Sequence, residues 1–370
     1  LINKELVLFS IADNIRSIPN LVDGLKPSQR KIIFACIKRN LYSEIKVSQL
    51  AGYVSEVSSY HHGETSLQDT IVNLSQTFVG SNNMNLLEPV GQFGTRLLGG
   101  KDASSPRYIF THLSKNFKYM FNPSDYNLLN YLDDDGFSIE PSFYVPILPL
   151  ILINGACGIG TGFSTDIPCF NPEDIKDRLL KLVDDEDSDI EELTPWYNGF
   201  TGTIKKVDEN RWMTCGSYKI TSNTLTVTEL PIGTWTEDYK TFLDKLETED
   251  IIYSYKNMST ETNVLFEIKI PLEIMIDWMD NKELEKKMKL ISYISGRNMH
   301  VFNEKSEIVK MSSAEEIVYR FWKIRNDYYN KRQRNVADRL EKELNVITAK
   351  INFVNDVIDE NIKVFRQKLS

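Results

Sequence analysis

GQFGTRLLGGKDASSPRYIF, running from Gly91 to Phe110, is the stretch on which the reading of this chain turns. Two glycine-rich turns precede a Pro-Arg-Tyr step, so Arg107 and Tyr108 stand together just beyond a segment suited to tight bends. A tyrosine held beside a guanidinium can attack a phosphodiester. Its phenol ordinarily loses its proton near pH about 10, and a neighbouring cation favours the phenolate and the charge that builds on a phosphate. Alone the dipeptide is weak, because such pairs are common and a tyrosine after Pro106 ordinarily packs into a core.

Outward from that stretch, 370 residues exceed one ordinary core and imply two or three domains. A first residue of Leu1 rather than Met is what a fragment would have. The longest apolar run, Val145 to Ile153, is broken by prolines and is far shorter than the roughly 20 residues of a membrane span. With no signal peptide or lipidation motif, the expectation is a soluble intracellular protein with no membrane partner. Cys36, Cys157, Cys169 and Cys215 form no CxxC pair, and of the histidines only His61 and His62 are close in sequence, so neither a zinc site nor a disulfide framework is supported. The net charge of -9 conceals an uneven distribution. Arg16, Lys26, Arg30, Lys31, Lys38, Arg39 and Lys46 give the start of the chain a basic excess that could meet phosphates, whereas the acidic run from Asp184 to Glu192 reads as a solvated loop.

Periodicity predicts helices over 28–39, 47–57 and 67–78, with a polar turn at Ser58 to Glu64 between the last two. Three short helices with tight connections suit any small helical domain, a helix-turn-helix or winged-helix unit among them. Asn171-Pro172-Glu173 reads as a capped helix start and sets a boundary near 165 to 171. Beyond the acidic run, strands are expected over 202–207, 211–220, 223–230, 263–270 and 300–311, with helices over 235–246 and 272–290. Ser313 to Glu316 forms a capping box, after which Ile317, Phe321, Ile324, Tyr328 and then Val336 to Leu369 repeat at steps near three and four, giving one long helix or two joined.

GACGIGTG, Gly155 to Gly162, lacks the order of a dinucleotide loop and is followed by two prolines where a helix should begin. Its glycines could instead let the backbone approach DNA and present Ile159 as an apolar wedge between base steps, or could simply permit close packing around a core isoleucine. Asp133, Asp134 and Asp135 read as solvated carboxylates rather than a metal site.

Six blocks together carry a resemblance. DGLKPSQRKI (Asp23 to Ile32), SSYHHGETSL (Ser58 to Leu67), FVGSNN (Phe78 to Asn83), the Gly91 to Phe110 stretch, ILINGACGIGTGFSTDIP (Ile151 to Pro168) and ELPIGTWTEDYK (Glu229 to Lys240) follow one another in family order. The chain resembles the breakage-reunion region of type IIA DNA topoisomerases, of the eukaryotic or large-DNA-virus kind, along nearly its whole length.

That resemblance implies an α+β protein in three parts: a winged-helix breakage-reunion domain over 1–165, a β-rich tower over 166–312, and the first part of a coiled coil over 313–370. Tyr108 would be the nucleophile that joins the 5′ phosphate of a cut strand, with Arg107 and Arg16 on the scissile phosphate and His62 donating a hydrogen bond there. Lys26, with Arg30 and Lys31 beside it, would face DNA, and Ile159 would bend it. The partners implied are double-stranded DNA and a second copy of the chain. Mg²⁺ and ATP are implied for the complete enzyme, each held by a domain missing here, and no metal ligands are assigned within the chain. Such an enzyme would work in the nucleus if cellular, or in host cytoplasm if viral. An architectural DNA-binding module, a tyrosine recombinase acting through the 3′ phosphate, and a polymer-forming coiled coil are the rival readings.

Overall fold

Short amphipathic helices punctuated by glycine and proline dictate the first half of the molecule. A computed structural model describes residues 2–60 and 62–362, so His61 and, in the helical seam, Phe365 and Leu369 lie outside the described residues. Helices α1 (Val7–Ser17), α2 (Pro27–Arg39), α3 (Val47–Ser58) and α4 (Glu64–Ser75) come first. Strands β1 (Ile45–Lys46), β2 (Leu87–Val90) and β3 (Phe110–Leu113) form an antiparallel sheet of order β1-β3-β2. The predicted helix over 67–78 begins three residues early and stops at Ser75. Gln76 turns extended there, and its amide donates to the carbonyls of Phe93 and Gly100 at 2.9 and 3.3 Å. Tertiary hydrogen bonds replace the last helical turn.

A short helix, α5 (Phe117–Met120), precedes the hairpin of β4 (Tyr131–Asp134) and β5 (Phe137–Pro141). After α6 (Leu150–Ile153), strands β6 (Ala156–Ile159) and β7 (Ser164–Ile167) form a second hairpin. The capped start at Asn171 is present: its side chain accepts from Glu173 N at 2.9 Å and opens α7 (Pro172–Asp184).

Beyond it the chain is mixed. Strands β8 (Thr203–Asp208) and β9 (Arg211–Cys215) belong to one sheet, while β10 (Tyr218–Thr221) and β11 (Thr224–Val227) belong to another. The single strand expected over 211–220 is therefore broken at Gly216-Ser217, where Ser217 N donates to Glu229 O at 3.1 Å and the chain passes between sheets. Helix α8 (Thr236–Thr248) and strands β12 (Ser254–Asn257) and β13 (Phe266–Lys269) complete the second sheet's surroundings, in the order β10-β11-β13-β12. The helix expected over 272–290 is two, α9 (Leu272–Asp280) and α10 (Leu284–Lys287), interrupted at Lys282 with a φ of 56°. Strand β14 (Ile291–Ser295) returns to β9. The strand expected over 300–311 is a hairpin, β15 (Met299–Phe302) and β16 (Ile308–Met311), because Asn303 Oδ1 accepts from Lys305 N and Glu307 N and closes a turn.

The repeat after Ser313 is one helix, α11 (Ala314–Ile358), of 45 residues. Ser313 caps it, accepting from Glu316 N at 3.2 Å, but Glu316 reaches back to Ser312 rather than to Ser313. Its first turns bury Ile317, Phe321 and Tyr328, whereas Leu340, Leu344, Ile347, Ile351 and Ile358 are exposed. No helix among the described residues is long and apolar enough to cross a membrane.

Two apolar cores result. One combines residues from 21 to 193 with 299 to 328, and the other is drawn from 225 to 290. A buried ion pair organises the first. Asp23, fully buried, accepts from Arg30 Nε at 2.7 Å and Nη2 at 3.0 Å, and from the N–H groups of Leu25 and Tyr144 at 2.9 Å each. The pair joins the loop before α2, α2 itself and the segment after β5, and it turns Arg30 away from solvent. Replacing Asp23 by Ala strands a buried guanidinium, so Asp23→Ala should destabilise the protein by about 3–5 kcal/mol, read as a lowered urea midpoint.

Candidate functional site

The Gly91 to Phe110 stretch folds back on itself because Gly94 lies against Gly100. Gly94 has a φ of 95°, and a Cβ there would sit 2.5 Å from Gly100 O, a contact no side chain tolerates. Thr95 closes the turn by donating its N–H and hydroxyl to Asp102, and Gly100 N donates to Thr95 O at 2.9 Å. Arg96 leaves this turn to form a buried ion pair with Glu229, beyond β11. Glu229 also accepts from Thr201 Oγ1 at 3.0 Å and Leu230 N at 2.9 Å. Gln76, from the end of α4, holds the carbonyls of the same turn. Gln76 and Glu229 are positioning residues that the sequence did not single out, since each lies far along the chain from the turn it serves.

Helix α3 grips the far end of the stretch. The first N–H groups of a helix have no partner within it. Here Val47 N donates to Ile109 O at 3.0 Å and Ser48 N to Pro106 O at 3.1 Å. The two carbonyls flank Arg107 and Tyr108, so the backbone of that pair is clamped on both sides while Tyr108 N closes a turn on Ser105 O at 2.9 Å. The side chains point outward: Tyr108 is 77% exposed. Arg107 is exposed as well, and neither side chain takes a hydrogen bond or ion pair among the described residues.

Arg16 and His62 form a second group. Both line one cleft with Lys31, Tyr60 and Ser66, and His62 packs edge-on to Tyr60 with ring centroids 5.4 Å apart. Arg16 is paired with Asp13 at 3.1 Å. No hydrogen bond, ion pair or ring contact among the described residues joins this group to Arg107 or Tyr108, and neither of those two lines its cleft.

Ile159 stands at the tip of the β6–β7 hairpin and is 81% exposed, more than any other large hydrophobic side chain among the described residues. A core role is excluded. Its neighbouring glycine serves the close packing that the sequence allowed as an alternative: a Cβ on Gly158 would lie 2.0 Å from Ser17 O, so the hairpin packs flush against the end of α1 and turns Ile159 the other way. Lys26 fastens the hairpin's base, donating from Nζ to Cys157 O at 2.7 Å. Its partial burial lowers its pKa from the ordinary lysine value.

The expected basic surface is thus only partly presented. Lys26 is spent on the hairpin, Arg30 is buried against Asp23, and Lys31 bonds Glu140 at 2.9 Å and Ser58 O. Helical periodicity carries no information on which cation finds an internal carboxylate. Among the described residues no three His, Cys, Asp or Glu side chains gather closely enough to hold a metal ion.

Over residues 16–370 the chain matches the DNA gyrase/topoisomerase IV A-subunit family. It is 48% identical over 368 residues to DNA topoisomerase 2, mitochondrial, of Dictyostelium discoideum, covering 98% of this chain and 28% of that protein. With DNA topoisomerase 2 of Saccharomyces cerevisiae the identity is 46% over 368 residues, 98% of this chain and 26% of the relative. The crystal structure of Plasmodium falciparum topoisomerase II DNA-binding, cleavage and re-ligation domain matches with a TM-score of 0.94 at 42% identity, over 99% of this chain and 50% of that one. The mixed helix-and-sheet fold is shared with that structure, and the chain spans little more than a quarter of these two curated relatives.

The cysteines offer a probe of the hairpin. Cys157, two residues before Ile159, is exposed, while Cys36 and Cys169 are buried with thiols pushed up to about 12 by burial, and Cys215 is buried. A thiol reagent near pH about 8 should label Cys157 in the native protein and the other three only after denaturation. Mass-spectrometric mapping of the labelled sites checks this.

Proposed function

Because this chain belongs to the DNA gyrase/topoisomerase IV A-subunit family, we propose that it is the DNA-binding and cleavage core of a type II DNA topoisomerase. It breaks and rejoins both strands of a duplex through transient 5′-phosphotyrosyl links, so that a second duplex can pass. The observation that carries this reading is one of exposure. The two most exposed large hydrophobic side chains among the described residues are Ile159 and Tyr108, at 81% and 77%, and both sit on backbone held from several sides.

In this reading Tyr108 is the nucleophile. Its phenolic oxygen attacks phosphorus, the phenol gives up its proton, and the 3′ oxygen leaves and gains one. One P–O bond forms as one breaks, so the reverse step reseals the strand with no energy source. Arg107, adjacent on the clamped turn, and Arg16, on α1, supply donors to the charge on the phosphorane; His62 adds a hydrogen bond. Ile159 enters between base steps as an apolar wedge and bends the duplex. Lys26 serves DNA indirectly, by holding the wedge hairpin. Arg30 and Lys31 support the scaffold through Asp23 and Glu140.

Helices α2 to α4 with the sheet β1-β3-β2 act as a winged-helix unit, the β-rich region as the tower, and α11 as the first arm of a coiled coil. The functional division falls at 1–165, 166–312 and 313–370, although the first core draws on residues from all three. The exposed apolar seam of α11 supports a coiled-coil role. The complete enzyme acts as a homodimer, so that two tyrosines cut opposite strands, and draws on Mg²⁺ and ATP bound outside this stretch of chain. A nuclear enzyme and a viral enzyme of host cytoplasm fit the site equally.

The chain alone should bind and bend DNA while cleaving it poorly. With the metal-binding domain supplied, Mg²⁺ and end-labelled duplex should give denaturant-resistant adducts through the 5′ phosphate. Tyr108→Phe should abolish the adducts and leave DNA affinity within about twofold, since the hydroxyl contributes to chemistry rather than to binding. Adducts through the 3′ phosphate would point to recombinase chemistry instead. Tight binding with no adduct in either protein would point to an architectural module.

A further inference from the structure

One carboxylate joins the wedge hairpin to the phosphate arginine. Asp13, half-buried on α1, accepts from Arg16 Nη2 at 3.1 Å through Oδ1 and from Thr161 Oγ1 at 2.8 Å through Oδ2. Thr161 follows Ile159 by two residues, in the turn between β6 and β7, and its carbonyl accepts from Asn14 Nδ2 at 3.1 Å. Asn14 is buried beside Asp13, so the tip of the hairpin is held by two successive residues of α1. The hairpin's base is held separately, by Lys26 on Cys157 O and by the contact of Gly158 with Ser17 O.

We propose that Asp13 is a positioning residue that couples bending of the duplex at Ile159 to the phosphate contact made by Arg16. The inference rests on the reading of Ile159 as a wedge and Arg16 as a phosphate ligand. Both bonds of the Asp13 carboxylate are charge-assisted, one on the exposed Arg16 side chain and one on the hydroxyl of Thr161, whose carbonyl Asn14 already holds. Arg16 is exposed, and a long exposed side chain loses rotamer freedom when it binds; Asp13 removes part of that freedom beforehand. The guanidinium commits only Nη2 to Asp13, so its remaining donors are available to a phosphate. Thr161, bonded to the other oxygen, fixes the wedge tip relative to the same carboxylate. A duplex kinked at Ile159 therefore meets Arg16 in a preset position, and a wedge that is pushed aside carries Asp13 and the aim of Arg16 with it. An acid three residues before an arginine on a helix is visible in the sequence as an ordinary surface pair; only the hairpin from residue 161 makes it a bridge.

The test uses this chain with a duplex bearing donor and acceptor dyes at its two ends, reading bending by energy transfer and affinity by titration at fixed salt. Thr161→Val removes the hydroxyl and keeps the charge of Asp13. Asp13→Asn keeps the shape and removes the charge. Each should lower the ratio of bent to straight complex at saturating protein about fivefold, the shift expected when one hydrogen bond is lost from a two-state balance, with affinity falling by no more than that same factor. Thr161→Ser should restore bending. Unchanged bending in both variants, while Ile159→Ala abolishes it, overturns the coupling and leaves the wedge standing. Parallel loss of bending and affinity that Thr161→Ser does not restore overturns it too, by reducing Asp13 to a structural role. If the unaltered chain does not bend DNA, or Ile159→Ala bends it fully, the wedge reading fails and the coupling with it.

Discussion

The buried ion pair between Arg96 and Glu229 is the constraint on which the rest of the site depends. Removing two charges from water costs several kcal/mol per ion unless their remaining hydrogen-bonding capacity is met. Glu229 meets this by accepting from Thr201 and Leu230 as well as Arg96, so the carboxylate is saturated where it is buried. Through that pair the turn that precedes Tyr108 is fastened to the second sheet region. Gln76 and Asp102 then fix its remaining polar groups, and α3 holds its far end through two helix-terminal N–H groups. A tyrosine this exposed would ordinarily sit on mobile backbone; here exposure of the side chain and confinement of the main chain coexist.

The same division of labour recurs at the hairpin. Ile159 is presented outward because everything behind it is pinned: Gly158 flush against α1, Lys26 on the carbonyl of Cys157, and Thr161 on Asp13. Cations that look available in sequence are consumed in building these mounts. Arg30 and Lys31 neutralise internal carboxylates, and the negative overall charge is compatible with the proposed DNA contacts because those contacts depend on a few aimed groups rather than on net attraction.

Much of the fold was legible in the residues. Helices α2 and α3, the Asn171 cap and the helical period of α11 follow from periodicity and capping chemistry, which act over a few residues, whereas that α11 is one helix rather than two joined came from the structure. Two departures share one cause. Helix α4 stops early because Gln76 is drawn to a distant turn, and the 211–220 stretch splits at Gly216-Ser217, where the chain meets Glu229. The 300–311 stretch splits differently, through the local turn that Asn303 closes, a signal present in the sequence but masked by the β-branched run around it.

By itself the sequence singled out Arg107 and Tyr108 as the candidate reactive pair, and it determined the family to which their surroundings belong and the helices whose apolar stripes have a short period. These depend on residue type and near-neighbour spacing, which a linear chain displays directly. Only the tertiary structure decided which cations stay free, that Ile159 faces outward rather than into a core, and that Asp13 bridges α1 to the hairpin. Arg30 finds Asp23 only seven residues back, but two other cation pairings and the bridge depend on a partner more than a hundred residues away: Glu140 for Lys31, Cys157 for Lys26, Thr161 for Asp13. Burial and pairing are properties of the packed chain, and no local period encodes them.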